Sequence, residues 1–326
     1  MDKNIILISF ILLITSCTNN GKDAEVEILG CMDVNSLNYS EEATEDDGSC
    51  SYYGCTDSSA INYNIQATID DGNCLSEENS ISGFSLFWND EFNADNLNLQ
   101  FWNIERFNKG AFNNESQSYV DSKDNIILLD GKLYIRAKKE SPFDPNNPVY
   151  TSGRINTKNK VEVQYGYWEV RAKLPTGVGT WPAIWMLNSN IDTIGWPNCG
   201  EIDIMEHVGY DSSRVFFSIH NANMHGDVGG TNQQGIYDFD DNDNDNDFNT
   251  YAVEWGETYI KGYVNEVLYF HYDKSSELFN DWPYDNPFFL IINLAIGGDW
   301  GGVEGIDTSI FPASFIIDYV RMYIKS

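Results

Sequence analysis

From about Gly83 to the C-terminus the chain alternates apolar and polar positions in short runs, the period-two pattern of strands with one buried face. Tyr167 to Leu174 shows it most cleanly. Trp168, Val170, Ala172 and Leu174 fall on one face, and Tyr167, Glu169, Arg171 and Lys173 on the other. Comparable strands are predicted at Val215–His220, Tyr259–Val264, Val267–Tyr272, Phe288–Ile296 and Phe315–Ile324. Ile126–Leu129 and Lys132–Lys138, joined by Asp130-Gly131, read as a hairpin. No helical stretch stands out. Many short strands separated by Gly, Pro and Asn turns predict an all-β sandwich or barrel, one domain over residues 81–326.

Two strands break the simple pattern. In Thr180–Leu187, Trp181 and Trp185 share a face with the small Ala183 between them. That is a platform on which pyranose rings can stack, although Trp185 suits core packing equally well. In Trp196–Gly209, three carboxylates (Glu201, Asp203 and Glu206) interrupt the apolar Ile202, Ile204 and Met205. Strict alternation puts Glu201 and Asp203 on one face and Glu206 on the other. One extra residue, accommodated as a β-bulge at Ile204-Met205, brings all three acids to one face and the apolar side chains to the opposite one. Carboxylates crowded on a buried strand are electrostatically costly, and chemistry is the usual reason for such a cost. The chemistry that fits is glycoside hydrolysis, where two carboxyl groups about 5–5.5 Å apart serve as nucleophile and as acid/base. The middle acid can share a proton with the nucleophile and keep the outer two apart in pKa.

Other features mark the remaining groups. Trp196, Trp300 in the Gly297–Gly302 loop, Arg154 and Asn113 can complete a groove. His220 ends its strand and is read as a satisfied histidine or as a group near the leaving-group side. Cys199 is read as a small buried thiol, since no basic partner is evident. Asp238–Asp247 has the composition of a calcium loop without the Gly and terminal Glu of an EF-hand, which favours a solvated loop. Asp318 falls by parity on the apolar face of Ile316, Val320 and Met322, so it needs a partner, and a structural cation would serve.

The first 80 residues have a different texture. Lys3 and the apolar run Ile5–Ile14 form a signal segment too short to span a membrane, ending at Ile14-Thr15-Ser16-Cys17. This resembles a bacterial lipobox over residues 1–17, which implies acyl chains on Cys17 and an outer-membrane lipoprotein, its face open. Residues 18–80 are acidic and read as a tether containing a duplication: residues 30–50 and 54–74 repeat Gly-Cys, Asn-Tyr, Ala-Thr and Asp-Asp-Gly in register. Units this small need staples. Four cysteines allow three pairings, and the self-contained one, Cys31–Cys50 with Cys55–Cys74, is preferred.

Charge narrows the partners. With 19 Lys+Arg against 50 Asp+Glu, a net charge of −31 argues against nucleic acid and anionic membrane surfaces and favours a neutral polymer or a cation. Aromatics at 14% of the chain are rich even for a β protein, which suits sugar stacking as well as core packing.

Residues 83–326 resemble glycoside hydrolase family 16, and within it the bacterial laminarinases. The resemblance is carried by W-N-D-E-F (88–92), N-N-E (113–115), S-G-R-I-N-T-K (152–158), Y-G-Y-W-E-V-R-A-K-L-P (165–175), W-P-A-I-W-M-L (181–187), G-E-I-D-I-M-E (200–206) and I-D-Y-V-R-M-Y (317–323). It implies a jelly-roll β-sandwich of the lectin/glucanase type with a cleft across its concave sheet. It also implies Glu201 as nucleophile, Asp203 as its helper and Glu206 as acid/base. Asn113, Arg154, Trp181, Trp185 and Trp196 would line sugar subsites, with His220 and Trp300 beside them. A structural calcium would be held by Glu91, the Gly131 carbonyl and Asp318, and no cofactor would serve catalysis. The implied activity is retaining endo-hydrolysis of β-1,3-glucan by a monomer. Alternatives are the same chemistry on mixed-linkage glucan or a red-algal galactan, or a non-catalytic glucan-binding protein.

Overall fold

A computed structural model describes residues 27–142, 144, 149–226, 233–239 and 247–326. Cys17 and most of the Asp238–Asp247 segment lie outside these residues. The chain divides into two compact units, Met1–Tyr52 and Tyr53–Ser326. In the first unit Cys31 is bonded to Cys50, and in the second Cys55 is bonded to Cys74, each bridge spanning 19 positions.

The second unit is built on two large, mostly antiparallel sheets, as the alternation requires. One sheet has ten strands and the other eight. The inward faces interlock in a single core. Trp168, Val170, Ala172, Phe315, Ile317, Val320 and Met322 from the ten-stranded sheet meet Ile184, Met186, Ile202, Ile204, Phe217, Leu290 and Ile292 from the eight-stranded one. Strand limits fall within a residue or two of those expected: Gly166–Lys173, Arg214–His220, Tyr259–Val264 and Phe288–Ile296. The predicted hairpin closes through Asp130 and Gly131, both at positive φ (51° and 67°), the twist that matches a two-residue turn. One short α-helix, Ile191–Ile194, and one 3-10 turn, Glu77–Asn79, interrupt the strands among the described residues.

Two expectations are corrected here. The unit that carries the sheets begins at Tyr53 rather than at residue 81, because the second cysteine repeat is part of it. Asn89, buried in strand Phe84–Asp90, donates to the Asn73 carbonyl (3.0 Å) and accepts from Asn62 (3.2 Å), and the Glu91 N–H donates to the Asn73 side chain (2.8 Å). Arg321 and Tyr323 then hold Asn79 on the connecting segment. Residues 54–80 are thus a docked element rather than a free tether, with each buried hydrogen bond worth about 1 kcal/mol net.

The second correction concerns Asp318. Ile317 pairs with Ala172 and Tyr319 with Arg171, so Asp318 is the extra residue of a bulge. The bulge moves the core face to Phe315, Ile317, Val320 and Met322 and turns Asp318 outward, where it pairs with Arg171 and, at 3.5 Å, with Lys132. Glu91 makes a two-pronged pair with Arg321, both contacts at 2.9 Å. Both carboxylates proposed for calcium already have cationic partners. With both carboxylates engaged by cations, this donor set does not fit that ion.

Candidate active site

The site lies on the outward face of the eight-stranded sheet. In strand Glu201–Glu206, Met205 pairs with Ile184 and Asp203 with Trp185, which leaves Ile204 without a partner. The same irregularity appears against the next strand, where Asp203 faces Ser218 and Glu206 faces Phe216. This bulge turns Ile202, Ile204 and Met205 into the core, fully buried, and Glu201, Asp203 and Glu206 outward. Gly200 leads into the strand at φ 88°, and a Cβ there would stand 2.7 Å from Pro283, so only glycine lets the chain pass.

Cross-strand pairing sets the acids in rows. Glu206 lies opposite Ala183, Asp203 opposite Trp185 and Glu201 opposite Leu187. Four steps along a strand separate the backbones of the two glutamates by about 13 Å, so their side chains must lean inward over Asp203 to act on one bond. Small Ala183 beneath them leaves space for a ring.

Each acid has its own neighbours. Asp203 is 3% exposed; it shares a hydrogen bond with Glu201 and contacts His220 Nε2 at 2.9 Å. Glu201 Oε1 lies 3.7 Å from the same nitrogen. Glu206 accepts a hydrogen bond from the Trp181 indole N–H at 3.1 Å. Burial, followed by the Asp203 charge, holds the Glu201 carboxyl well above its ordinary range. Burial and the Glu206 charge raise Asp203 likewise. Burial raises Glu206 too, offset in part by His220 and by the Trp181 hydrogen bond. The Cys199 thiol, buried beside Glu201, is pushed up to about 12 and is inert.

The surrounding aromatics form two walls. At one end Trp300 packs edge-on against Trp181 (5.6 Å) and Phe216 (5.0 Å). At the other, Trp196 is 43% exposed and sits 5.4 Å from His225 and 6.2 Å from His220. Asn113 is exposed at the rim, its carbonyl accepting from the Asp299 N–H (2.8 Å). Arg154 differs from expectation. It is buried, ion-paired with Glu105, and enclosed by Phe112 (4.8 Å) and Trp185 (4.9 Å), so it braces the platform from the side.

A polar chain that the sequence reading did not assign runs under this wall. Trp185 N–H donates to Asn293 (2.7 Å), Asn293 to Tyr119 OH (3.1 Å), and Tyr119 to buried Glu115 (3.0 Å). It fixes the plane of the Trp185 ring. Asn293 was legible as the one polar residue in F-F-L-I-I-N-L-A-I, where a buried amide needs partners.

Comparison with known proteins agrees with this geometry. The profile of Glycosyl hydrolases family 16 matches residues 112–320. The chain belongs to glycoside hydrolase family 16. Among its family 16 relatives, the beta-glucanase of Rhodothermus marinus is 38% identical over 251 residues, 74% of this chain and 85% of that protein. The crystal structure of a laminarinase from Flavobacterium sp. UMI-01 aligns with a TM-score of 0.66 and 42% identity, covering 73% of this chain and all of that one. A keratan-sulfate endo-1,4-beta-galactosidase of Sphingobacterium multivorum is 33% identical, covering 74% of this chain and 55% of that protein. The two sheets are the jelly-roll sandwich of family 16 enzymes, and the protein is a glycoside hydrolase.

Proposed function

We propose that the protein hydrolyses internal β-1,3-glucosidic bonds of laminarin-type glucans with retention of configuration. The observation that carries this is the bulged Glu201–Glu206 strand, which turns three acids to one face beside a tryptophan platform. Glu201 is the nucleophile because Asp203 and His220 flank it and can hold the proton it must not carry. Its carboxylate attacks the anomeric carbon as the C1–O bond breaks. Glu206, whose protonated form burial favours, gives its proton to the departing glycosyl oxygen. In the second half-reaction Glu206 takes a proton from water, which displaces Glu201 from the sugar. Trp181, Trp185, Trp196 and Trp300 offer faces and edges for rings on either side of the bond.

Specificity for a glucan rests on the laminarinase and β-glucanase relatives, and on a site wall made of indoles with its one arginine already paired. A sulfated galactan would call for unpaired cations at the groove. Product analysis on laminarin, lichenan, agarose, carrageenan and keratan sulfate tests this directly. A ladder of short oligosaccharides from laminarin is expected, and release from a galactan alone would overturn the assignment.

A further inference from the structure

His220 was expected to be a satisfied histidine or a group near the leaving-group side of the subsites, and its ring faces the acids. Nε2 points at two carboxylates, Asp203 Oδ2 at 2.9 Å and Glu201 Oε1 at 3.7 Å. Nδ1 is buried and has no hydrogen-bond partner among the described residues. Neither nitrogen is presented to the groove. The residue lies directly opposite Glu201 in the ladder, and Tyr284 OH donates to its carbonyl at 2.8 Å, which fixes the backbone at this position. Trp196 covers it at 6.2 Å.

Three acids on one short strand pose an ionisation problem that the double-displacement scheme does not itself solve. Glu201 has to be anionic to attack, although burial and two neighbouring acids favour its proton. Among the described groups, the basic one touching the trio is this imidazole. Resting on the roles assigned above to Glu201 and Glu206, we propose that His220 is a positioning residue: its Nε2–H, held between Asp203 and Glu201, keeps Glu201 ionised and aimed at the anomeric carbon. It makes no contact with the sugar.

The titratable groups around the ring leave this role to the acids and the imidazole. Glu201, Asp203 and Glu206 face it from the adjacent strand, and His220 opposes proton uptake by both Glu201 and Glu206. Cys199 and Tyr284 stay neutral throughout the working range, both pushed up by burial. His225 packs edge-on against Trp196 at 5.4 Å. Losing the imidazole removes the group that lowers the Glu201 and Glu206 carboxyls, so both limbs of the kcat/KM bell are expected to move upward.

The test uses His220→Gln, which keeps an N–H near Asp203 but cannot carry charge, and His220→Phe, which keeps neither. The glutamine variant is expected to shift the bell upward by about one pH unit. The phenylalanine variant should lose about 100-fold in kcat, with the glutamine variant recovering about tenfold of that, and KM should barely change in either. Laminarihexaose binding, measured in a Glu201→Gln background, should be the same with and without His220→Gln. An unmoved bell would overturn the inference, and weakened hexaose binding alongside it would make His220 a sugar contact. That outcome would leave the Glu201 and Glu206 roles standing, because those are read from their own variants. If the substituted proteins do not fold, proton NMR of the parent protein decides. An exchange-protected imidazole N–H resonance downfield of the amides supports the role, and its absence contradicts it.

Discussion

Glu201→Gln protein is expected to lose at least about 10⁴-fold in kcat on laminarin while binding laminari-oligosaccharides as the parent does. The amide fills the space of the carboxylate but cannot form the glycosyl ester, so the loss falls on kcat and not on KM. The same change should raise stability. Burial and like charge hold the Glu201, Asp203 and Glu206 carboxyls above their ordinary range. Between the unfolded pKa of about 4 and those raised values, the folded state binds more protons than the unfolded chain. The slope of unfolding free energy against pH is therefore negative in that window, and the folded protein loses stability as pH rises. Removing one ionisable acid relieves part of that loss. A gain of about 1–2 kcal/mol near neutral pH, or about 2–8 °C in Tm, is the expected size. Melting curves of parent and variant across pH check it: the two should converge toward pH 4. A variant less stable than the parent at neutral pH would show that the acids are stabilised by their surroundings instead of strained by them.

The second large effect is expected at Glu206. Glu206→Gln removes the proton donor to the leaving oxygen, which costs about 10²–10⁴-fold on laminarin. The loss should shrink sharply on an aryl β-glucoside substrate whose leaving group departs without protonation. With such a substrate the glycosyl ester on Glu201 still forms, but no base remains to activate water. Azide, which needs no base, should then restore turnover and yield a β-glycosyl azide. The Trp181 indole that bonds Glu206 also bonds its amide replacement, so the geometry is preserved. No rescue by azide, or an α-glycosyl azide, would reassign the two glutamates.

Much of this site was readable from residue order alone, and the reasons are physical. A strand that carries Ile202, Ile204 and Met205 among three acids can bury all its apolar side chains only by adding a bulge, and the ladder shows that bulge. Trp181 and Trp185 fall on the outward face because a regular strand alternates, and their strand pairs without interruption along Phe288–Ile296. The same parity argument failed at Asp318. There too a strand carries an extra residue, but the flanking residues are apolar on both sides and nothing in the sequence says where the extra residue sits. Arg154 was expected to line the groove, and His220 to be a satisfied histidine or a group near the leaving-group side. Their actual partners, Glu105 and the Asp203–Glu201 pair, come from other strands and depend on how the sheet is ordered. The docking of the second cysteine repeat was likewise invisible, since it runs through asparagine side chains that read locally as turn residues.

The most direct test of two opposed carboxyls working through a covalent ester is the anomeric form of the first product. Proton NMR of laminari-oligosaccharide hydrolysis, recorded before mutarotation, should show the β-anomer appearing first and the α-anomer growing only later. An α-anomer formed first would mean a single displacement by water, and Glu201 could not then be the nucleophile.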